Sequence, residues 1–349
     1  MTPVADLIER PAGWFGAPAD RGAVVVSSRV RLARNCVGWA FHRTLPKARQ
    51  QELVDRLLAT AARVTGWEAP LVWRLSDLVE SERTLLVERQ LISRDLAAAK
   101  RPAAIFARSD ERAALMLNEE DHLRLQVLAP GLDLQACMRD AAALDERLGT
   151  ALGWACDARL GHLTACHTNV GTGLRASVML HLPALTETGE IKVLLRGLAR
   201  LELTVRGRHG EGSEPAGHNY QVSNCRSLGV DEDTIVQGVT TAAGRLVTAE
   251  AIARDVLMSK QAYQTQDRVH RAYGLLTHAR SLSSDELNDQ LSWVRLGAAL
   301  GLLPGLDTAT LDRLALRCQS AHLRLAHPEA EDAAERDRVR AGLVRVGLS

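Results

Sequence analysis

Residues 103–117 read Ala103-Ala104-Ile105-Phe106-Ala107-Arg108-Ser109-Asp110-Glu111-Arg112-Ala113-Ala114-Leu115-Met116-Leu117. Two apolar runs joined by polar residues are typical of adjacent antiparallel strands connected by a turn. Residues 24–26, 176–182 and 201–205 indicate further strands, and residues 134–152 repeat apolar side chains at helical spacing. Strands that follow one another along the chain favour an α+β fold, with an antiparallel sheet flanked by helices, over a βαβ repeat.

The C-terminal part of the chain shows helix signals instead. Ser283-x-x-Glu286 is a capping box that opens an apolar-periodic helix. A second helix is predicted from Thr308 to Leu323, and a third from Pro328 to Val346. We therefore expect a catalytic domain at residues 1–250 and an all-α domain at residues 251–349.

Composition and charge exclude several classes of protein. The formal net charge is +1 over 349 residues, which is not the basic field typical of nucleic-acid-binding proteins. The six cysteines include no Cys-x-x-Cys pair, so neither a disulfide framework nor a zinc site is predicted. The first 15 residues lack an apolar signal region, and the apolar run at 296–306 is too short to span a bilayer. We expect a cytoplasmic protein that binds neither membrane nor nucleic acid.

Four separated segments combine arginine with serine, glycine or glutamate: residues 27–31, 118–124, 169–177 and 206–211. The guanidinium fork of arginine binds phosphate oxygens in pairs and keeps its charge at neutral pH. Arg29 and Arg31 alternate on a predicted strand and therefore point to the same face. Glu119, Glu120 and Glu211 lie in the same segments and could bind a cationic group or accept its proton. Together the segments predict a site where a polyphosphate meets a guanidinium.

The common nucleotide-binding motifs are missing, since the chain has no Gly-x-x-x-x-Gly-Lys-Ser/Thr loop, no Gly-x-Gly-x-x-Gly loop and no His-Arg-Asp loop. Each arginine segment taken alone is more often a solvated surface. Their joint occurrence in this order resembles the guanidino (phosphagen) kinases, and most specifically the bacterial protein arginine kinases. The resemblance runs from Val24 to the C-terminus and is strongest at residues 27–35, 118–126, 163–185 and 205–228.

The resemblance implies a guanidino-kinase-like catalytic domain that transfers the γ-phosphoryl group of ATP to arginine side chains of proteins. Mg²⁺ would be held through the nucleotide, without a protein metal site. Glu120 and Glu211 would flank the guanidinium, with Glu120 as the catalytic base, and Cys166 would lie nearby as a thiolate favoured by neighbouring cations. The nucleotide-binding residues implied in the same way are Ser27, Ser28, Arg29, Val30, Arg31, Gln90, Arg124, Arg175, Ala176, Ser177, Val178, Met179, Arg206, Gly207, Arg208, His209 and Gly210.

The segment Arg336-Asp337-Arg338-Val339-Arg340-Ala341 is similar to an Arg-Asp-x-x-Arg-Ala motif of protein arginine kinases. The similarity implies an allosteric pocket for phosphoarginine. Arg336 and Arg340 are one helical turn apart and would hold the phosphoryl group, while Asp337 would pair with the guanidinium. The alternative interpretation is an ordinary charged helix face.

Three positions depart from the family pattern. His167 follows Cys166 where the family usually has proline, and Gln90 stands where a histidine is expected near the adenine. The segment Asn224-Cys225-Arg226-Ser227 also differs from the usual Asn-Gln-Val-Thr. None of these changes removes a charged residue of the inferred site, so we expect the protein to be catalytically active. We expect the three departures to affect the reaction rate and the nucleotide preference.

The sequence and the resemblance also lead to expectations about the arginine that accepts the phosphoryl group and about partner proteins. Only 26 residues precede Ser27, which leaves no room for the helical domain that encloses the small substrate of phosphagen kinases. An open site suits arginine exposed on a protein. The resemblance further implies a homodimer that works with an activator protein and marks proteins for a Clp-type protease in stress control. A phosphagen kinase acting on free arginine and a catalytically weak phosphoarginine-binding adaptor are the alternatives.

Overall fold

The computed structural model describes residues 4–15, 24–207 and 216–348. The strands are β1 (Val25–Arg34), β2 (Leu71–Arg74), β3 (Ala104–Ala107), β4 (Ala113–Leu117), β5 (Leu123–Pro130), β6 (Cys156–Asp157), β7 (Gly161–His162), β8 (Leu174–His181), β9 (Leu203–Gly207) and β10 (Asn219–Asn224). The helices are α1 (Lys47–Val64), α2 (Glu80–Glu88), α3 (Arg94–Ala97), α4 (Leu134–Leu152), α5 (Pro183–Glu187), α6 (Ile191–Arg200), α7 (Glu232–Lys260), α8 (Ala262–His278), α9 (Ser284–Ala299), α10 (Thr308–Arg317), α11 (Ser320–Ala326) and α12 (Ala333–Leu348).

Eight of the described strands form one antiparallel sheet in the order β2-β3-β4-β5-β1-β8-β10-β9, while β6 and β7 form a separate hairpin. The strand pair predicted from residues 103–117 is confirmed as β3 and β4, with Ala104 opposite Leu117. Strand β1 lies at the centre, between β5 and β8. The α+β fold with an antiparallel sheet flanked by helices is therefore confirmed.

One face of the sheet is apolar and packs against α1, α4 and α7. Val30 and Leu32 of β1 alternate toward this face and are fully buried. Helix α4 has the predicted bounds, because its apolar stripe faces the sheet and the Asp133 carboxylate accepts a hydrogen bond from Ala136 N at 3.3 Å as an N-cap.

The opposite face is covered only in part. At the β2–β4 end, Trp73 and Ile105 pack against Leu85 and Leu86 of α2. The central strands instead present arginine to this side, since Arg29 and Arg31 alternate with the buried Val30 and Leu32. The uncovered part of the sheet is therefore the floor of a cleft.

The C-terminal helices have their own apolar core, which includes Val294 and Leu311. The predicted helix 308–323 is wrong as a single element: it is two helices, α10 and α11, because Gln319 between them has an extended backbone (ψ 154°). The third helix begins at Ala333, not at Pro328. Helix α7 runs across residues 250 and 251, so the domain limits stay a prediction. None of the helices in the described ranges is long and apolar enough to cross a membrane.

Candidate active site

Four arginines from three strands line an open cleft of about 500 Å³ on the uncovered face of the sheet. The register places Arg31 of β1 directly opposite Arg175 of β8, and Arg29 lies two residues along the same strand. Arg124 enters from β5, where Gln126 stands opposite Arg31. The predicted common orientation of Arg29 and Arg31 is what the structure shows, since both line the cleft.

The arginines crowd positive charge into a confined space. Burial, together with the neighbouring Arg175 and Arg124, lowers the pKa of Arg29 to about 10. Burial and the same neighbours also lower the pKa of Arg31 well below its ordinary value. The Nε atom of Arg31 has no hydrogen-bond partner within the described part of the chain. Such a cluster is stabilised by an anion that brings several oxygens, so the cleft is suited to phosphate groups.

Polar side chains at the edge of the cleft hold the guanidinium groups in place. Arg29 Nη1 donates to Gln90 Oε1 at 3.1 Å, and Arg175 Nη2 donates to Ser223 Oγ at 3.1 Å. The register of β10 brings Ser223 opposite Ser177 of β8. A neutral partner leaves most of the positive charge of Arg29 available to a ligand.

Arg124 is held differently, because two carboxylates share its guanidinium. Nη1 donates to Glu119 Oε1 at 2.7 Å and Nη2 to Glu120 Oε2 at 3.1 Å. Burial alone would raise the pKa of Glu119, but Arg124 and a 2.5 Å hydrogen bond from Ser93 outweigh it and hold the pKa below its ordinary value. Glu119 is therefore a fixed anion that orients Arg124.

Glu120 lines the same cleft but is half-buried. Burial raises the pKa of Glu120, and Arg124 offsets this rise only in part. A carboxylate with a raised pKa accepts a proton more readily than an ordinary one. Glu120 is thus suited to act as a base beside the arginine cluster.

The loops that carry Glu120 and Cys166 are joined by one buried side chain. Asp121 Oδ1 accepts hydrogen bonds from Asn35 Nδ2 and from Ala165 N, both at 2.6 Å. The neighbouring Cys166 lines the cleft with its sulfur 3.0 Å from Thr168 Oγ1. The structure therefore brings Glu120, Cys166 and the arginines to one site.

Strand alternation places the predicted nucleotide-binding residues on both faces of the sheet. Ser28, Val30, Ala176 and Val178 are fully buried on the helix-covered face, so their side chains do not reach the cleft. The Ser28 hydroxyl, for example, donates to Gly131 O at 2.8 Å. The side chains of Ser27, Ser177 and Met179 lie on the other face, where they line a smaller cavity that also adjoins Arg29 and Gln90.

The remaining predicted residues lie at the end of strand β9 or beyond it. Arg208, His209, Gly210 and Glu211 lie outside the described residues. Arg206 and Gly207 end strand β9, where Arg206 stands opposite Gln221 of β10 and Gly207 opposite Tyr220. Gln221 itself lines the cleft, although sequence reasoning did not identify it. Within the described ranges, no group of three His, Cys, Asp or Glu side chains is placed to hold a metal ion.

The C-terminal motif lies on α12, with its residues in different environments. Arg340 is buried, and its Nε donates to Cys318 O at 3.0 Å while Nη1 donates to Leu282 O at 2.7 Å and to the Asp337 carboxylate. Arg336 is half-buried and its Nη1 donates to Glu331 O at 2.6 Å. In this structure Arg340 bonds to protein groups, and the phosphoarginine pocket stays a prediction.

The geometry as a whole fits a phosphotransferase, with a confined arginine cluster suited to phosphate and a carboxylate beside it that is suited to act as a base. Residues 52–253 match the family model of the ATP:guanido phosphotransferase C-terminal catalytic domain, and residues 262–349 match that of the protein-arginine kinase McsB C-terminal domain. The chain is 42% identical over 347 residues to a protein-arginine kinase of Moorella thermoacetica, with 97% of both chains covered. It is 41% identical over 352 residues to one of Symbiobacterium thermophilum, with 99% of both covered.

A solved structure shows the same fold. The substrate-free duplicated taurocyamine kinase from Schistosoma mansoni superposes with a TM-score of 0.59 at 24% identity, covering 81% of this chain and 44% of that one. The chain thus spans less than half the length of that duplicated protein. On these findings, the chain belongs to the protein-arginine kinases of the ATP:guanido phosphotransferase family.

Proposed function

We propose that the protein transfers the γ-phosphoryl group of ATP to arginine side chains of other proteins. The observation that carries this proposal is the cluster of Arg29, Arg31, Arg124 and Arg175 in one cleft with Glu120. The arginines supply the charge for a polyphosphate, and Glu120 supplies a base for a cationic acceptor. The names of the relatives support a protein as the source of the arginine.

In the reaction, the arginine cluster aligns the phosphates and neutralises the charge that develops on the transferred group. Glu120 takes a proton from the guanidinium of the acceptor, and the freed nitrogen lone pair forms the N–P bond. The bond from the γ-phosphorus to its bridging oxygen breaks, and the electron pair leaves with ADP. Mg²⁺ bound through the nucleotide oxygens would add further charge neutralisation.

Two carboxylates and one cysteine would contact the arginine that accepts the phosphoryl group. Glu120 orients and deprotonates the guanidinium from the side of Arg124. Glu211 would flank the guanidinium from the segment outside the described residues. Cys166 lies on the same cleft and would contact the acceptor. The nucleotide would lie along Arg29, Arg31 and Arg175.

Phosphorus NMR tests the proposal directly. The purified protein is incubated with Mg·ATP and either an arginine-rich protein or free arginine, beside the variant Glu120→Ala. We expect an acid-labile N-phosphate on the protein substrate, and a rate lower by about 10² to 10⁴ in the variant. Product on free arginine alone would overturn the proposed acceptor and indicate a phosphagen kinase. Phosphoarginine binding without any transfer would indicate an adaptor.

We further propose a cytoplasmic homodimer that is activated by a partner protein and regulated by phosphoarginine at Arg336, Asp337 and Arg340. Its products would be recognised by a Clp-type protease under stress. Support for these roles comes from the family membership and from the motif on α12.

A further inference from the structure

Three consecutive residues at the end of α2 make contacts in three different directions. Glu88 reaches the C-terminal helices, Arg89 is buried between several segments, and Gln90 reaches the arginine cluster. Because the three residues share one stretch of backbone, a shift of one of them changes the position of the others.

Glu88 holds the N-terminus of α11. Its Oε1 accepts a hydrogen bond from Ala321 N at 2.8 Å, and its Oε2 accepts from His322 N at 3.1 Å and from His322 Nδ1 at 2.8 Å. A carboxylate at a helix N-terminus satisfies backbone donors that the helix itself leaves free. Here the carboxylate belongs to a different helix, so it fixes α11 against α2.

Arg89 makes this junction rigid. It is fully buried and forms a two-pronged pair with Glu111, with Nε to Oε2 at 2.7 Å and Nη2 to Oε1 at 2.5 Å. Its Nη2 also donates to Arg10 O at 3.0 Å, and its Nη1 lies 3.5 Å from His322 Nε2. Breaking a buried pair leaves an uncompensated charge, so Arg89 stays paired with Glu111 and holds Glu88 and Gln90 together as one unit.

Gln90 transmits the position of this junction to the cleft. Its backbone is left-handed (φ +61°), and it closes α2 by hydrogen bonds from Gln90 N to Val87 O and from Leu91 N to Leu86 O, both at 2.9 Å. A left-handed glutamine is uncommon, since glycine is the usual residue at this place. The turn aims the Gln90 side chain at Arg29, whose Nη1 donates to it at 3.1 Å.

A second contact keeps Gln90 in register with the sheet. Gln126 Nε2 donates to Gln90 O at 2.6 Å, and Gln126 stands opposite Arg31 across β5 and β1. At the far end of the junction, Arg340 Nε donates to Cys318 O, immediately before the turn that opens α11. A continuous set of hydrogen-bonded groups therefore runs from α12 through α11 and the end of α2 to Arg29.

We propose that Glu88 is a positioning residue for the nucleotide, acting through Gln90 on Arg29, so that the seating of α11 on α2 sets the affinity for ATP. The inference rests on the proposed function, in which Arg29 binds ATP phosphate. It predicts that disturbing the contact of Glu88 with α11 changes nucleotide binding through Gln90 and Arg29.

The test compares Michaelis constants for ATP and for a protein substrate in the full chain. Glu88→Gln removes one acceptor oxygen but keeps the size of the side chain. We expect the KM for ATP to rise by about three- to tenfold, while kcat and the KM for the protein substrate change by less than about twofold. Glu88→Ala should give a larger rise in the same constant. Gln90→Ala should raise it too, and adding Glu88→Gln to Gln90→Ala should raise it no further.

The matched control is Asp307→Ala. Asp307 caps α10 in the same group of helices by accepting from Thr310 N at 2.8 Å, but it is an exposed cap without a contact to α2. If Asp307→Ala raised the KM for ATP as much as Glu88→Gln, the effect would be general destabilisation and the inference would be wrong. Additive effects of Glu88→Gln and Gln90→Ala would overturn it as well.

Arg29→Ala separates this inference from the proposed function. A large rise in the KM for ATP in Arg29→Ala, with none in Glu88→Gln, would reject the positioning role and leave the nucleotide site intact. An unchanged KM for ATP in Arg29→Ala would reject the assignment of Arg29 to the phosphates, and the positioning role with it.

Discussion

At the level of single residues, the neighbouring carboxylates Glu119 and Glu120 show how burial divides two roles. Glu119 accepts from Arg124, from Ser93 and from the backbone N of Glu120. The Glu120 side chain is 35% exposed and pairs with Arg124. Under the proposed function, Glu119 would therefore orient an arginine of the phosphate site, and Glu120 would be left to face the acceptor.

The pH dependence of the reaction should report the raised pKa of Glu120. A base must be ionised, so the rate falls as the pH drops through its pKa. Because burial raises that pKa, we expect the acid limb of kcat/KM to lie above the ordinary glutamate value of about 4.3. The measurement is the initial rate of protein phosphorylation against pH for the wild type and Glu120→Gln. An acid limb that persists unchanged in the variant would assign it to another group.

The lowered pKa of Glu119 gives a prediction about stability. A carboxylate with a depressed folded-state pKa stabilises the protein above its unfolded pKa, and this contribution is lost as the pH falls through the folded value. We expect Glu119→Gln to lower the free energy of unfolding by about 1–3 kcal/mol at neutral pH, with the difference from wild type shrinking in acid. Urea unfolding at several pH values measures it.

The control for this variant is Glu52→Gln. Glu52 pairs with Arg49 on the exposed surface of α1, where such pairs contribute no more than about 1 kcal/mol. Equal losses in the two variants, or a Glu119→Gln loss that is independent of pH, would contradict the assigned role of Glu119.

At the level of elements, the sequence predicted what depends on neighbouring residues. The hairpin of β3 and β4 and the helix α4 follow from local runs and a local cap. The break between α10 and α11 does not, because the Cys318 carbonyl is bound by Arg340, far along the chain. The sequence predicts an arginine segment at residues 118–124 but not strand β5, although Arg124 and Gln126 alternate with apolar residues there.

The residues of the candidate site also divide into those that the local sequence predicts and those that it does not. Alternation alone predicted that Arg29 and Arg31 share a face. Family resemblance transferred whole segments and so included Val30 and Val178, which the pleat turns toward the helices. Gln221 could not be placed from sequence, because its position depends on β10 pairing with β8, a choice that the local pattern does not specify.

At the level of the whole molecule, Arg89 connects three distant parts of the chain. Its guanidinium contacts the carbonyl of Arg10 in the N-terminal segment, Glu111 in the turn between β3 and β4, and His322 of α11. Both Arg89 and Glu111 are 1% exposed. Through the 3.5 Å contact of Arg89 with His322, this buried pair lies where the catalytic sheet meets the C-terminal helices.

Removing one partner of that pair should therefore affect the whole molecule. We expect Glu111→Gln to lower the free energy of unfolding by about 3–5 kcal/mol, because Arg89 is left buried without a counter-charge. The matched control is Asp110→Asn in the same turn, where the pair with Arg108 is partly exposed and should contribute no more than about 1 kcal/mol. Urea unfolding followed by circular dichroism and by tryptophan fluorescence measures both, and in Glu111→Gln the two signals should separate as the C-terminal helices detach first. Coincident transitions with a loss no larger than the control would mean that apolar contacts, not Arg89, hold the parts of the molecule together.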